Sequence, residues 1–259
     1  MQYIGIIPAR YASTRFPGKP LVDICGKPMI QRVYEQARKA LDTVIVATDD
    51  QRIYDVVLSF GGQVVMTSPN HKCGTDRVEE AYEIYKASQP ILLRDEDVVI
   101  INIQGDEPFI QPSQIQAIQS CFPTEIATLV KPFTEQDTLA DLENPNNPKV
   151  VFSQQTGEAI YFSRSIIPYL RGVDKADYIR KGMFYRHIGM YAYRADILKR
   201  ITQMPQTPLE LAESLEQLRW LENGIKIRVA VCNTYSMGID TAEDLQQAIE
   251  YLKHKPINI

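Results

Sequence analysis

The stretch 98–103 reads VVIINI, and the polar segment QGDEP follows it directly at 104–108. A nearly unbroken apolar run of this length is typical of a parallel strand that is buried on both faces of a sheet. Similar runs predict strands at 3–7, 43–47 and 63–66, and helical patterns separate them at 28–40, 51–60 and 76–87. This alternation predicts an α/β fold with a mainly parallel, Rossmann-like sheet and helices on both of its faces.

The second half of the chain loses the regular alternation. We predict strands at 149–152, 159–162, 187–194 and 225–231, and a last helix from Asp240 to about His254. Thr207, Pro208 and Glu210 form the signature of a capping box and place a helix start at Thr207. That helix is predicted to carry an apolar stripe of Leu211, Leu215 and Leu218. Without a visible linker or repeat, we expect a single domain, 1–259, in which 143–223 elaborates one sheet.

Composition narrows the class of protein. The 259 residues include 28 basic and 32 acidic side chains, with a net charge of −4 and an isoelectric point near 5.5. This balance argues against a broad surface for nucleic acid or an anionic membrane, and it favours a small partner. The cysteines form no C-x-x-C pair, and no apolar run approaches the roughly 20 residues of a membrane helix. We therefore expect reduced thiols and a cytoplasmic protein.

Ligands of parallel α/β sheets bind beyond the carboxyl ends of the strands, so the segments after the apolar runs are the candidate sites. The first is IIPARYASTRFPGKPL at 6–21, where Arg10, Arg15 and Lys19 all precede Asp23, the first acid of the chain. Cationic groups on such a loop suit a polyphosphate. The loop matches neither the Walker motif nor the dinucleotide fingerprint. A solvated basic loop is the alternative that charge alone leaves open.

Two acids occupy corresponding places elsewhere. Asp106 comes directly after the run at 98–103, and Asp240 precedes the last predicted helix. Each has a structural alternative, since Asp106 suits a turn or cap towards Pro112 and Asp240 with Glu243 suits a helix cap. Two carboxylates from separate strand ends also suit Mg²⁺, which completes its octahedron with phosphate oxygens and water.

Other polar residues have ordinary structural explanations of similar weight. Asp49 and Asp50 are predicted only to cap the helix at 51–60, and HKCGTDR at 71–77 can cap the helix that follows it. His187 can be a core histidine and Arg164 a strand-end arginine. The polar side of the Thr207 helix, with Glu216 and Gln217, can simply be solvated.

Several motifs occur together in one order along the chain. They are IIPAR-x-x-STRFPGKPL, VATDD, HKCGTDR, NIQGDEP, YFSR, RHIGMYAYR, LEQLRWLENG and GIDTAEDL. In this combination the chain resembles the 3-deoxy-manno-octulosonate (Kdo) cytidylyltransferases over essentially its whole length. The sialic acid cytidylyltransferases have a similar opening but typically carry Asn where this chain has Pro20.

The resemblance implies a nucleotide-diphospho-sugar transferase fold with an inserted segment for dimerisation and substrate binding. It implies transfer of CMP from CTP to the anomeric hydroxyl of Kdo, with release of pyrophosphate, to activate Kdo for lipopolysaccharide synthesis. Mg²⁺ on Asp106 and Asp240 and a homodimer are implied as well. A cytidylyltransferase for sialic acid or an amino-Kdo, or a nucleotide-binding module without activity, are the alternatives.

The resemblance also assigns roles to single residues. Arg10, Arg15, Lys19, Asp106 and Asp240 are implied to be catalytic. The nucleotide site is implied to comprise Ala9, Arg10, Ser13, Thr14, Arg15, Lys19, His71, Thr75, Gln104 and Asp106. The sugar-acid site is implied to comprise Arg164, His187, Tyr191, Glu216 and Gln217. Arg164 and His187 are expected to form a cationic clamp on the sugar carboxylate, and Glu216 and Gln217 to bind its hydroxyls.

Overall fold

The computed structural model describes residues 1–12, 16–89, 93–234 and 238–254. Its strands are β1 Gln2–Ala9, β2 Asp23–Ile24, β3 Lys27–Pro28, β4 Thr43–Thr48, β5 Gln63–Met66, β6 Val98–Asn102, β7 Ile126–Pro132, β8 Lys149–Phe152, β9 Ala159–Ser163, β10 Tyr185–Arg194 and β11 Ile227–Val231. Its helices are α1 Met29–Arg38, α2 Gln51–Ser59, α3 Gly74–Ala87, α4 Pro112–Gln119, α5 Leu139–Glu143, α6 Tyr178–Lys181, α7 Ala195–Thr202, α8 Pro208–Glu213, α9 Gln217–Glu222 and α10 Ala242–His254.

The chain divides into two compact units. The first comprises Met1–Ile115 and Tyr235–Ile259, and the second comprises Gln116–Thr234. The second unit is therefore longer than the predicted elaboration at 143–223. This division does not test the prediction of one domain, which stays a prediction. Among the described residues, no helix has both the length and the apolar character required to cross a membrane.

The first unit is built on parallel strands in the order β6-β1-β4-β5. Ile4 of β1 lies opposite Thr43 of β4 and Ile100 of β6, and these four strands run in one direction. Ile4, Ile6 and Ile7 are completely buried, as expected for strands covered on both faces. The prediction of an α/β fold with a mainly parallel sheet is confirmed, and all seven elements predicted before residue 104 are present within two residues of their predicted bounds.

The second unit mixes strand directions. β7 pairs in parallel with β11 and antiparallel with β10, and β8 and β9 form an antiparallel hairpin. The register of β10 on β7 shifts between Ile188 and Tyr191, which marks a bulge around Gly189. β7, α7 and the shorter helices α4, α5 and α6 were not predicted from the sequence, although the IATLV run of β7 is as apolar as the run of β6.

The prediction of one continuous helix from Thr207 is wrong. The capping box is present, because the Glu210 carboxylate accepts the N–H of Thr207 at 3.3 Å, but α8 ends at Glu213. Ser214 then takes a left-handed conformation with φ of 50°, and a second short helix, α9, begins at Gln217. Leu211 is 62% exposed while Leu218 is buried. The break changes the direction of the chain, so Leu211, Leu215 and Leu218 do not share one apolar face.

Candidate active site

The loop after β1 is closed by its own backbone. Gly18 adopts φ of 72°, a conformation that favours glycine, and its N–H donates to the carbonyl of Tyr11 at 2.9 Å. A short 3₁₀ turn, Lys19–Leu21, follows with Pro20 near its start. The sequence FPGKP therefore fixes the backbone from which Lys19 projects. Ser13, Thr14 and Arg15, predicted to bind nucleotide, lie outside the described residues.

The QGDEP segment is placed by the neighbouring strand. Ile103 continues the pairing by donating its N–H to the carbonyl of Ile6 at 2.9 Å. Gly105 lies so close to β1 that a Cβ there would be 2.9 Å from the carbonyl oxygen of Pro8. Only glycine tolerates this approach, which brings Asp106 to the carboxyl end of the sheet beside the β1 loop.

Asp240 is brought to the same place by the chain after the second unit. The N–H of Ile239 donates to the carbonyl of Asp106 at 2.9 Å. The helix α10 is capped by Thr241, whose hydroxyl accepts the N–H of Asp244, while the Asp244 carboxylate accepts the N–H of Thr241. The alternative of an Asp240–Glu243 cap is thus wrong. The cap lies one residue further along, so the Asp240 carboxylate can serve another partner.

That partner is Lys19. Its ammonium donates to Asp106 at 2.8 Å and to Asp240 at 3.0 Å. The Lys19 side chain is only 14% exposed. Burial lowers the pKa of this ammonium, but the two ion pairs outweigh burial and raise the pKa above its ordinary value of 10.5. Two acids that are far apart in sequence therefore converge on one cation.

The same two carboxylates are a candidate metal site. Among the described residues, no group of three or more His, Cys, Asp or Glu side chains could hold a metal ion. Asp106 and Asp240 nevertheless fit Mg²⁺ by their chemistry, because Mg²⁺ takes one or two protein carboxylates and completes its shell with phosphate and water. Their convergence on one ammonium shows that both can contact a single positive charge.

A cavity of about 430 Å³ opens beside these residues in the first unit. Five predicted nucleotide residues line it: Ala9, Arg10, Lys19, Gln104 and Asp106. Two cationic residues that the sequence analysis missed, Lys72 and Arg77, also line it. Both lie in the HKCGTDR motif, and their charge was the available signal. The cavity is therefore strongly cationic, as a polyphosphate site requires.

His71 and Thr75 support this cavity and are not among the residues that line it. Arg10 donates to the carbonyl of His71, and the His71 ring contacts Glu80 on α3 at 2.5 Å. Thr75 is buried in the first turn of α3, which begins at Gly74 with Cys73 at its N-cap. Neither residue is that cap, so the structural alternative of a cap by either side chain is wrong.

The neighbouring residues Asp49 and Asp50 have different partners. Asp50 caps α2 as predicted, accepting the N–H of Arg52 at 3.0 Å. Asp49 instead pairs with the completely buried Arg77 at 2.7 Å, and Thr67 accepts from the same guanidinium. The expectation that Asp49 is chiefly a cap is therefore wrong. Asp49 holds Arg77, a residue that lines the cationic cavity.

In the second unit, the guanidinium of Arg164 binds backbone carbonyls. It donates to Glu213 at 2.6 Å, Pro145 at 2.8 Å and Ser214 at 3.1 Å. The Glu213 carboxylate in turn accepts the N–H of Arg164 at 2.9 Å and the hydroxyl of Ser163 at 2.6 Å. Arg164 thus holds the left-handed turn at Ser214 that precedes α9. Its role in a clamp on a carboxylate stays a prediction.

His187 is buried, which disfavours the positive charge expected of it. Burial of its ring lowers the pKa of His187 to about 4. Its Nε2 lies 3.1 Å from the hydroxyl of Thr128, and that hydroxyl donates to the carbonyl of Met190 at 2.9 Å. The same hydroxyl also lies 3.3 Å from the carbonyl of Ile188, so Thr128 connects the ring to the backbone of β10. Its role in a clamp on the sugar carboxylate stays a prediction.

The remaining predicted sugar-acid residues lie around the start of α9 and on β10. Gln217 is buried, and its Nε2 has no hydrogen-bond partner among the described residues. Tyr191 on β10 is also buried, and its ring packs edge-on against Trp220 of α9 at a centroid distance of 5.1 Å. Glu216 directly precedes α9. A buried amide without a partner is costly, which favours a ligand that supplies the acceptor.

Comparison with known proteins places this chain in a family. A family model described as Cytidylyltransferase matches residues 4–227. The 3-deoxy-manno-octulosonate cytidylyltransferases of Parabacteroides distasonis and Bacteroides thetaiotaomicron are 59% and 57% identical to the chain; each alignment covers 98% of this chain and 100% of the relative. A solved structure of CMP:2-keto-3-deoxy-manno-octonic acid synthetase complexed with CTP is 38% identical with a TM-score of 0.84, over 98% of this chain and 100% of that one. The chain belongs to the 3-deoxy-manno-octulosonate cytidylyltransferase family.

Proposed function

We propose that this protein transfers CMP from CTP to the anomeric hydroxyl of Kdo, releasing pyrophosphate and forming CMP-Kdo for lipopolysaccharide synthesis. The observation that carries the proposal is the cationic cavity at the end of β1 and β6, where Lys19 meets Asp106 and Asp240. A cavity of this charge suits a triphosphate, and the paired acids suit the cation that accompanies it. The identities of the nucleotide, CTP, and of the sugar acid, Kdo, are inferred from family membership.

The residues of the first unit then act through position and charge. Arg10, Lys19 and Lys72 neutralise the triphosphate and the leaving pyrophosphate, because they line the same cavity. Arg77 also lines the cavity, and its pairing with Asp49 holds it in place. The anomeric hydroxyl attacks the α-phosphorus in line as the bond to pyrophosphate breaks, without a covalent enzyme intermediate. Arg15, Ser13 and Thr14 are proposed to assist as the family resemblance implies.

Asp106 and Asp240 are proposed to hold Mg²⁺. When bound, this ion polarises the α-phosphate and lowers the pKa of the attacking hydroxyl. The backbone hydrogen bond from Ile239 to Asp106 keeps Asp240 next to Asp106. The first unit thus contributes a preformed pair of acids and the cationic side chains around them.

The second unit is proposed to bind Kdo. Gln217 offers a buried Nε2 that needs an acceptor, which a sugar hydroxyl can supply. His187 contributes a ring nitrogen, Tyr191 contributes a hydroxyl beside that ring, and Glu216 contributes a carboxylate at the start of α9. Arg164 supplies positive charge near the turn at Ser214. A cytidylyltransferase for sialic acid or an amino-Kdo remains the second candidate, because the same groups suit any polyhydroxy acid.

Pyrophosphate release with CTP and a panel of sugar acids tests the substrate. We expect kcat/KM for Kdo to exceed that for sialic acid at least tenfold, since a site built for particular hydroxyls rejects a bulky N-acyl substituent. Gln217→Met should raise the KM for Kdo and leave the KM for CTP unchanged. Equal values for the two acids, or a preference for sialic acid, would overturn the substrate while leaving the cytidylyltransferase assignment intact.

Asp240→Asn tests the metal. The amide keeps the shape but removes a charge, so we expect kcat to fall about a hundredfold and half-saturation to require more Mg²⁺. Asp23→Asn, at an exposed acid on the same unit, serves as the matched control. An unchanged Mg²⁺ titration for Asp240→Asn would show that this carboxylate holds no metal.

We also propose a homodimer that forms through the second unit. Ile160, Tyr169 and Met183 are large apolar side chains with 65%, 76% and 71% exposure. Such groups on one unit are typical of an interface, and a two-fold interface would be self-complementary. Sedimentation should give twice the chain mass of 29.5 kDa. A monomer at micromolar concentration would contradict the proposal.

A cytoplasmic location is proposed as well. All four cysteines are thiols, which suits a reducing compartment. Cell fractionation checks it, and recovery from a periplasmic extract would contradict it.

A further inference from the structure

We propose that Lys19 competes with the divalent cation for Asp106 and Asp240, so that the metal enters the site together with the nucleotide and not ahead of it. The inference rests on the proposed function, since it concerns the nucleotide and the metal proposed for this site. Its basis is the double ion pair of Lys19, at 2.8 Å to Asp106 and 3.0 Å to Asp240.

The backbones that carry the two carboxylates are held in place independently of Lys19. The carbonyl of Asp106 accepts the N–H of Ile239 at 2.9 Å, and the N–H of Asp240 donates to the Asp244 carboxylate at 2.9 Å. The backbone of Lys19 is equally fixed by the turn after Gly18. The long side chain of Lys19 is therefore the part that moves, and rotation about its single bonds is enough to release both acids.

Electrostatic repulsion explains why the Lys19 side chain has to move before a metal ion binds. A divalent cation that contacted both carboxylates would stand next to the Lys19 ammonium and be repelled by it. Lys19 needs another acceptor before it leaves, and Asp106 is the one acidic residue among the described residues that line the cavity. The other charged lining residues, Arg10, Lys72 and Arg77, are cations.

The triphosphate of the nucleotide supplies that acceptor. Its oxygens can take the Lys19 ammonium in the cavity that Lys19 already lines, which frees Asp106 and Asp240 for the metal. Nucleotide and metal should therefore bind with positive coupling, and by linkage each should raise the affinity for the other by the same factor. Lys19 is the residue through which this coupling acts.

Binding of Mn²⁺, followed by electron paramagnetic resonance without Kdo, tests the competition. Wild type should bind free Mn²⁺ weakly without CTP. Lys19→Met should bind it about tenfold more tightly, or more, because loss of one charge-assisted contact typically changes an equilibrium constant by at least that factor. Lys19→Arg keeps the cation and should stay as weak as wild type. Lys27→Met is the matched control, since Lys27 pairs with Glu35 at 2.7 Å in the same unit.

Equal or weaker binding of Mn²⁺ by a folded Lys19→Met protein would overturn the proposal. If that variant does not fold, as judged by circular dichroism, Lys19→Gln takes its place and carries the same expectation. Tighter binding by Lys27→Met would also overturn it, because the effect would then belong to any lost lysine. Failure of the proposed function appears elsewhere, as absent pyrophosphate release by wild type with CTP and Kdo, and leaves the Mn²⁺ affinities interpretable.

Discussion

At the scale of single residues, Thr128 lies beside the buried ring of His187. It lies on β7, donates to the carbonyl of Met190 in the bulge of β10, and its hydroxyl is 3.1 Å from Nε2 of His187. The ring also packs edge-on against Phe162 at 5.3 Å between centroids. In these surroundings a second proton on the ring would place a charge in an apolar pocket, and burial therefore favours the neutral form of His187 at physiological pH.

This arrangement predicts a loss of stability in acid. Burial lowers the pKa of His187 from 6.5 to about 4, so between these values the unfolded chain binds a proton that the folded chain does not. Stability should be complete above pH 6.5 and fall as the pH drops towards 4, by roughly 3 kcal/mol from this residue. Urea unfolding of wild type and His187→Asn across this window checks the prediction. The same pH dependence in both proteins would contradict it.

At the scale of elements, the pair α8 and α9 is joined by one ion pair. Arg219 on α9 donates to both oxygens of Glu210 on α8, at 2.7 and 2.5 Å, and to the carbonyl of Met204 at 2.8 Å. The side chains are only 13% and 6% exposed. Because the chain reverses at Ser214, this pair fixes the angle at which Gln217 is presented.

Breaking the Arg219–Glu210 ion pair should lower the stability of the fold and weaken binding at the proposed sugar site. Arg219→Met leaves the Glu210 carboxylate buried without its cation, which typically costs about 3 kcal/mol. We expect urea unfolding to show this loss and the KM for Kdo to rise, with the KM for CTP unchanged. Lys226→Met removes the exposed pair with Glu158 and should change little. An unchanged KM for Kdo would show that α9 is positioned by other contacts.

At the scale of the whole molecule, the proposed chemistry divides between the two compact units. The residues that line the cationic cavity all belong to the first unit, and Arg164, His187, Tyr191, Glu216 and Gln217 all belong to the second. In the first unit, the ends of parallel strands carry the proposed nucleotide site. In the second unit, the bulged strand β10 and the turn between α8 and α9 carry the proposed sugar-acid site.

This division predicts separate footprints in hydrogen exchange. CTP should slow exchange at 8–12, 71–77 and 104–106, because these segments carry the cavity residues. Kdo should slow exchange at 187–191 and 214–217. Sialic acid, as a matched control ligand, should leave both sets unchanged. Protection of 187–191 by CTP with no change at 71–77 would contradict the assignment of the nucleotide to the first unit.

The sequence by itself determined the class of fold, the strands and helices of the first half, and the segments that carry chemistry. These follow from local causes: apolar runs bury both faces of a strand, and loops after parallel strands meet at one edge of the sheet. The motifs also identified the family, which the comparisons confirm. The sequence did not separate the cap and ligand interpretations of Asp240, however, because Asp240–Glu243 and Thr241–Asp244 are similar capping patterns.

The tertiary structure decided what depends on distant partners. Lys19 meets Asp106 and Asp240 across 87 and 221 residues, a contact that no local pattern encodes. His187 is neutral because surrounding elements bury it, and the helix from Thr207 breaks at Ser214 because Arg164 and Arg219 hold the two sides of the turn. Local propensity is a weak preference, and a few buried hydrogen bonds and ion pairs outweigh it.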